Sequence, residues 1–462
     1  MRRRDFLKAV GLGAASFVMP ERAYCAPQSS PKRKPNFVFI LIDDMGFKDL
    51  GFMGSRYYET PDIDKLAGEG VVFTNAYSNA PNCAPTRACL MSGQYTPRHG
   101  IYTVGTSERG QSKLRKLIPT QNKTELDSKV VTIPQALKSA GYTSACIGKW
   151  HLGDKAPCRP VDRGFDVAFE RNHSGHFSKE GEYLTDRLTD EAIKFIEAGR
   201  NRPFFLYLSH HAVHTPIQAK KQLIEKYKKK EPDSIHNDPT YAAMIESVDQ
   251  NVGRLMAKLD ELGLRENTVV FFFSDNGGYG NTTSMIPLRG SKGMLYEGGI
   301  RVPMIVRWPG VITPGGVCDV PVIGIDFYPT MLKMAGTPQP SGHILDGLSI
   351  VPLLKGKETL NRQAIFWHFP AYLEPYNDKQ WPWRTAPAGA IQQGDWKLIE
   401  FFEDGKIELY NLKEDLGEKN NLAETMPEKA NELRCTLIEW RKSVCAPVPA
   451  EKNPQYVPAA WR

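Results

Sequence analysis

The chain has no Cys-x-x-Cys pair among its eight cysteines, which stand at 25, 83, 89, 146, 158, 318, 435 and 445. This absence excludes the common structural zinc folds and a thioredoxin-type redox motif. Its ten histidines form no His-Glu-x-x-His, so the metalloprotease signature is missing too. No internal repeat is present, which excludes solenoids and propellers. No apolar run is long enough to anchor the chain in a bilayer; the candidate, Ala9 to Met19, is too short. Strong charge of either sign is also lacking. A net charge of +7 over 462 residues gives no argument for nucleic acid and is compatible with an anionic substrate.

What remains is an ordinary globular composition, 41 % hydrophobic and 24 % charged. The length calls for one large domain or two. The N-terminus, Met1-Arg2-Arg3-Arg4-Asp5-Phe6-Leu7-Lys8 followed by the short apolar run, has the order of an export signal over residues 1–26. Arg3-Arg4-x-Phe6-Leu7-Lys8 resembles a twin-arginine signal, a route that exports folded proteins and implies a periplasmic or secreted destination. Removing it would lower the net charge to about +4.

Two continuous apolar runs, Phe37 to Ile42 and Val269 to Phe273, read as strands covered on both faces. Both end in side chains with oxygen donors: Asp43-Asp44 after the first, Asp275-Asn276-Gly277-Gly278 after the second. Adjacent carboxylates in apolar surroundings repel and lose solvation unless a cation lies between them. Tyr142 to Ile147 reads as a further strand ending in Gly148-Lys149-Trp150-His151, and Phe204 to Leu208 as one ending in Ser209-His210-His211-Ala212-Val213-His214. Three histidines in five residues are compatible with a zinc cluster, but no established ligand spacing is present. Pro303 to Val306 and Val322 to Ile325 read as further strands. Helices are expected from Thr60 to about Gly68, from Thr132 to Gly141, over Leu184 to Ala198 and over 238–262, where Ile245, Val248, Val252, Leu255 and Leu259 recur at helical spacing. Strands alternating with helices give a mostly parallel central sheet sandwiched by helices. Past the Pro/Gly/Ser-rich stretch 336–347, Trp396–Phe402 and Ile407–Tyr410 read as an antiparallel hairpin, with a helix over about 427–442. The expected layout is a catalytic domain at 36–340, a smaller antiparallel sheet-and-helix subdomain at 341–445, and a proline-rich tail at 446–462 that wraps the surface or is mobile. Cys89 and Cys146 read as buried thiols; Cys435 and Cys445 are candidates to close a small loop.

Between the first two strand regions lies Asn79-Ala80-Pro81-Asn82-Cys83-Ala84-Pro85-Thr86-Arg87. Pro85 stiffens the turn after Cys83. A helix starting at about Ala88 would aim peptide N–H groups back at Cys83, and such a start favours anions. A lone cysteine is more often a small buried hydrophobe than a nucleophile, so the pattern gains weight only from its companions.

Those companions are the Asp43-Asp44, Gly148-Lys149-Trp150-His151 and Ser274-Asp275-Asn276-Gly277 segments, in this order around Cys83-x-Pro85-x-Arg87. Together they resemble the type I, formylglycine-dependent sulfatases of the alkaline phosphatase superfamily, over about Asn36 to Ala423. The resemblance implies oxidation of Cys83 to formylglycine by a maturation enzyme, and attack on sulfur by its hydrate. It implies one Ca²⁺ held by Asp43, Asp44, Asp275 and Asn276 together with residue 83, a donor set suited to a hard cation. Arg87 would steady the nucleophile, and Lys149 and Lys292 would hold the sulfate oxygens. His151 would serve as base, and His214, or alternatively Lys292, as acid. His210 and His211 are left without a role. Gly100-Ile101-Tyr102-Thr103-Val104-Gly105 resembles sulfatases acting on sulfated galactose or N-acetylgalactosamine; His368, Trp383 and Arg384 are candidates for the sugar subsite. Two other readings stand beside this one: a phosphodiesterase or phosphonate hydrolase on the same scaffold, and a non-catalytic binder of sulfated glycans if Cys83 is never matured.

Overall fold

In the computed structural model, residues 33–170, 175–375 and 383–458 are described. The signal segment 1–26 and Cys25 lie outside them. The first apolar run forms β1 (Asn36–Ile42), every residue of it buried. It is followed by β2 (Val71–Phe73), β3 (Ala76–Tyr77), β4 (Thr143–Gly148), β5 (Val167–Phe169), β6 (Phe204–Ser209) and β7 (Thr268–Ser274). β8 (Met304–Arg307), β9 (Gly316–Cys318) and β10 (Val322–Ile323) follow. The main sheet has eight strands in the order β5-β4-β6-β1-β7-β8-β2-β9. β4, β5, β6, β1 and β7 are mutually parallel, and β8 runs antiparallel to its neighbours β7 and β2. β1 sits centrally, paired to β6 from Phe37↔Phe205 and to β7 from Asn36↔Thr268. Strands buried on both faces have no reason to alternate polar and apolar residues, which is why they read as continuous runs.

Each face of the sheet carries its own core. Val38, Ile40 and Ile42 point to one, where they meet the helices Leu184–Gly199 and Pro239–Glu261. Phe37, Phe39 and Leu41 point to the other, against the helices Cys83–Ser92 and Phe327–Ala335. The even–odd split is the period-two geometry of a strand. Phe39 packs edge-on to Phe327 at 4.8 Å between ring centroids, a favoured aromatic arrangement.

A second, four-stranded antiparallel sheet follows: β11 (Ile365–Phe369), β12 (Ala388–Gln393), β13 (Trp396–Phe401) and β14 (Ile407–Asn411), in sequential order. The hairpin legible in the sequence is β13–β14. Its partner β12 was not, since Ala-Gly-Ala-Ile-Gln-Gln has little intrinsic strand preference and is recruited by pairing; β11, Ile-Phe-Trp-His-Phe, has the residues of a strand but was not singled out. The helix Pro427–Ser443 covers this sheet through Leu433, Leu437 and Trp440. The same core includes Tyr77, Cys89, Ile300 and Ile325 from the larger part. The described residues from Lys34 onward form one compact unit.

Two expectations need correction, and the alternatives for the tail narrow to one. The Val322–Ile325 strand stops at Ile323, because Asp326 accepts from the Ile323 N–H at 2.9 Å and starts a 3-10 turn. It pairs in parallel with β3 and stands apart from the main sheet. Cys435 and Cys445 are both free and exposed, Cys435 on the helix Pro427–Ser443 and Cys445 past its end. The tail is pinned against the loop before β4: Leu117 bridges Lys452, and the Val457 N–H donates to the Lys113 carbonyl at 2.9 Å. Among the described residues no helix is long and apolar enough to cross a membrane.

The two sheets are also joined by buried charge. Lys397 on β13 is fully buried and lies 2.9 Å from both Glu297 and Glu418, themselves fully buried. Glu297 also accepts from Tyr77 at 2.9 Å. Replacing Lys397 by methionine would leave Glu418 without this ammonium and Glu297 with Arg301 at 3.4 Å, both in a dry interior. Lys397→Met should therefore lose about 3–5 kcal/mol of stability, measured by denaturant unfolding.

Candidate functional site

The carboxyl ends of β4, β6, β1 and β7, adjacent in the sheet, bring the polar segments to one place, as the geometry of parallel sheets favours. Backbone bonds lock these ends together. The Asp43 N–H donates to the Ala212 carbonyl at 3.1 Å, the Val213 N–H to Asp43 at 2.8 Å, the Asp275 N–H to Ile42 at 3.1 Å, and the Lys149 N–H to Ser209 at 2.9 Å. Asp44 and His151 sit at φ 63° and 64°, the left-handed region that non-glycine residues rarely occupy. Two glycines are required by close approach. A Cβ on Gly277 would lie 1.9 Å from the Gly298 carbonyl oxygen, and one on Gly148, at φ 99°, would lie 1.9 Å from that of Ser209.

The helix carrying the nucleophile candidate starts earlier than its residues suggest. It begins at Cys83, with Asn82 at the N-cap position. Pro85 falls inside the first turn, where the missing N–H has no intrahelical partner to lose. Arg87, four residues on, shares the face of Cys83. It is fully buried and donates to Asp275 Oδ2 through Nε at 3.0 Å and Nη2 at 2.6 Å, to the Lys149 carbonyl at 2.8 Å and to Ser209 Oγ.

The carboxylate oxygens of Asp43, Asp44 and Asp275 lie within 4.8 Å of one another, and so do ligand atoms of Asp43, Cys83 and His214. Lys149 donates to Asp43 at 2.5 Å and Lys292 to Asp44 at 2.7 Å. Burial alone would raise the Asp43 pKa, but Lys149, His214, Arg87 and Lys292 hold it well below the usual carboxylate range. Burial likewise opposes ionisation of the Cys83 thiol, and Lys149 with Lys292 outweighs it, so the thiol is lowered. Burial, aided by Lys149 and Arg87, pushes His151 down to about 3. Asn276 donates to Asp44 at 2.7 Å, while among the described residues its buried Oδ1 accepts no hydrogen bond; Asp43 Oδ1 is in the same condition. Buried oxygens left without donors, beside clustered carboxylates, fit a hard cation with oxygen ligands.

A cavity of about 450 Å³ opens over this base, lined by Cys83, Lys149, His151, His214, Lys292 and Arg384 among others. His214 is its most open catalytic candidate, 33 % exposed against 13 % for Lys149 and 12 % for Lys292. Its Nδ1 donates to the Thr215 carbonyl at 2.7 Å, which leaves Nε2 facing Asp44 Oδ2 at 3.8 Å. His210 and His211 do not complete a metal set. His210 is fully buried, and burial pushes it down to about 4; His211 lines a neighbouring cavity with His176 and Glu170.

Arg384 therefore stands in the cavity with Cys83, and Trp383 lines the next one. His368 does not line either. It is buried on β11, its Nε2 donates to the Pro447 carbonyl at 2.8 Å, and its ring packs against Tyr102 and Phe402. Sequence reading missed Arg109 and Glu374, which pair at 2.8 Å on the cavity wall from segments 265 residues apart. It also missed Asp49. That buried carboxylate accepts from the Gly46 N–H at 2.7 Å and from the Tyr241 and Thr283 hydroxyls at 2.6 Å, behind Asp44. Nothing local to either pair or network marks it.

Comparison with known proteins follows the same outline. The sulfatase family profile matches residues 35–337, and an N-sulphoglucosamine sulphohydrolase C-terminal profile matches residues 291–443. A sulfatase of Formosa agariphila is 33 % identical, covering 97 % of this chain and 98 % of its own. The mouse N-acetylgalactosamine-6-sulfatase is 32 % identical over 82 % of this chain and 76 % of its own. Among solved structures, Ps i-CgsB, also solved in complex with k-i-k-neocarrahexaose, superposes with a TM-score of 0.75 at 29 % identity, covering 88 % of this chain and 93 % of that one.

The placement of His368 has a measurable consequence. Burial lowers its pKa most, the bond to Pro447 opposes, and Arg441 lowers it further, to about 3 from 6.5. The ring stays neutral in the fold while the unfolded chain takes up a proton below 6.5. Its contribution is thus present at neutral pH and is lost as pH falls towards the folded value. His368→Gln keeps a donor for Pro447 and cannot charge. Its thermal midpoint should fall less than that of the unmodified protein between neutrality and about pH 4.

Proposed function

This chain belongs to the sulfatase family, a sulfuric ester hydrolase, and we propose that its substrate is a sulfated carbohydrate of the galactose or N-acetylgalactosamine class. The observation that carries the reading is the Cys83–Arg87 helix start aimed at three buried carboxylates under one cavity. The substrate class is supported by the relatives named N-acetylgalactosamine-6-sulfatase and by the saccharide complex of Ps i-CgsB.

Asp43, Asp44, Asp275 and Asn276 would hold one Ca²⁺, which when bound supplies a Lewis acid next to residue 83. Cys83, converted to formylglycine by a maturation enzyme, would supply a hydrated aldehyde as nucleophile, a chemistry a plain thiol lacks. The remaining residues orient, neutralise and move protons. Arg87 fixes residue 83 relative to Asp275. Lys149 and Lys292, at the floor of the cavity, bind the sulfate oxygens, where cations in a dry site contribute most. His151, kept neutral by burial, accepts a proton at residue 83. His214, at the mouth, would act as the doubly protonated ring, keeping Nδ1–H on the Thr215 carbonyl and donating its Nε2 proton to the leaving saccharide oxygen. The N-terminal segment would take the folded protein through the twin-arginine machinery to the periplasm or outside the cell.

Peptide mass spectrometry across Cys83, after co-expression with a maturation system, should find a loss of about 18 Da or an aldehyde-reactive hydrate. Cys83→Ala should fold normally and lose turnover of a panel of galactose and N-acetylgalactosamine sulfates. An unmodified thiol from a competent host, or retained turnover in Cys83→Ala, would overturn the scheme. Separately, calcium chelation should lower the thermal midpoint by a few degrees, reversed by added Ca²⁺, and Asn276→Ala should shrink that shift.

A further inference from the structure

A second cavity, of about 600 Å³, adjoins the first. The two share Arg384, and consecutive residues Gly293 and Met294 line one and the other. Four aromatic rings line its wall, Tyr296, Trp383, Phe401 and Tyr456, each from a different segment. Its charged groups include neighbours of opposite sign, Lys406 with Glu408 at 2.7 Å, Arg289 with the same Glu408 at 3.7 Å and Lys116 with Glu403 at 3.5 Å, beside Arg384 and Asp404. Tyr456 belongs to the pinned tail, so this wall is held by the Val457–Lys113 and Leu117–Lys452 backbone contacts.

This chemistry selects among occupants. A purely apolar ligand would desolvate the ion pairs without replacing their water. A bare phosphate or polyanion would find Lys116, Arg289 and Lys406 already beside carboxylates. Donors and acceptors side by side suit hydroxyls, which do both, and flat aromatic faces supply apolar contact of low entropic cost. We propose that the second cavity binds a further sugar unit of the same saccharide whose sulfate ester lies over Cys83, with Arg384 at the junction. The enzyme therefore acts on oligosaccharide chains in preference to single sugars. This inference rests on the saccharide reading above.

The test compares the monosaccharide sulfate hydrolysed best in the panel with the tetrasaccharide ending in that same unit. The unmodified, matured enzyme should favour the tetrasaccharide by about tenfold or more in kcat/KM, mostly through KM. Tyr456→Ala should remove most of that advantage and leave monosaccharide kinetics unchanged. Lys406→Ala, at a side chain 58 % exposed, should do the same in part with the fold intact. Equal efficiency on both substrates, or variants that lower both equally, would overturn the second site and leave the saccharide reading standing. If sulfate esters of simple phenols are hydrolysed and no sugar sulfate is, the saccharide reading fails and this inference falls with it.

Discussion

Three carboxylates are buried within touching distance at the ends of neighbouring strands, and most of the site follows from that crowding. Two such charges about 4 Å apart repel by roughly 4 kcal/mol even at an effective dielectric of 20, before the cost of desolvation. Positive groups must therefore come to them. Arg87, Lys149 and Lys292 do so from three separate segments, a helix, a strand end and a loop. The Arg87 contact has a further effect. Cys83 lies one helical turn before it on the same face, so pinning the guanidinium to Asp275 also fixes the direction of residue 83. One ion pair thus balances charge and fixes residue 83.

The strain in the site is held by the fold around it. Asp44 and His151 occupy left-handed backbone, a conformation costing on the order of 1–3 kcal/mol each. Asp44 is fixed between β7 on one side and the Asp49 network on the other. Its N–H donates to Asp275 Oδ1 at 3.2 Å, its carbonyl faces the Tyr241 hydroxyl at 3.4 Å, and Asp49 ties Gly46 to Thr283 beyond it. His151 follows Trp150, which is buried and bonded through its indole N–H to Cys158 at 2.9 Å. The paired parallel strands beneath over-determine both positions, so the strained residues have nowhere else to go.

The strand ends were legible because each announces itself twice, by an unbroken apolar run and by the polar residues that stop it. Asp43-Asp44, Lys149-Trp150-His151 and Asp275-Asn276 all lie where that pattern puts them. What was not legible is non-local. β12 is a strand because β11 and β13 flank it, not because Ala-Gly-Ala-Ile prefers to be extended. His368 lies on the neighbouring strand β11, and its side chain turns to Pro447 and away from the cavity; nothing in the sequence says which way it faces. The helix start at Cys83 was misjudged for a local reason, since Pro85 reads as a break although a first turn tolerates it.

Burial is graded from floor to rim, and this divides chemistry from selectivity. Arg87 and the acidic groups are sealed, Lys149 and Lys292 are nearly so, and His214 reaches the opening. Electrostatic forces are strongest at the dry floor, where the buried charges crowd, and weaken towards the wet mouth. There the walls come from loops: Val104 and Arg109 from one, Glu374 and Arg384 from others. Loops on a rigid scaffold change shape at little cost to the core. The same floor can therefore serve relatives with different substrates, so selectivity in this chain falls to the rim loops and to the cavity that adjoins them at Arg384.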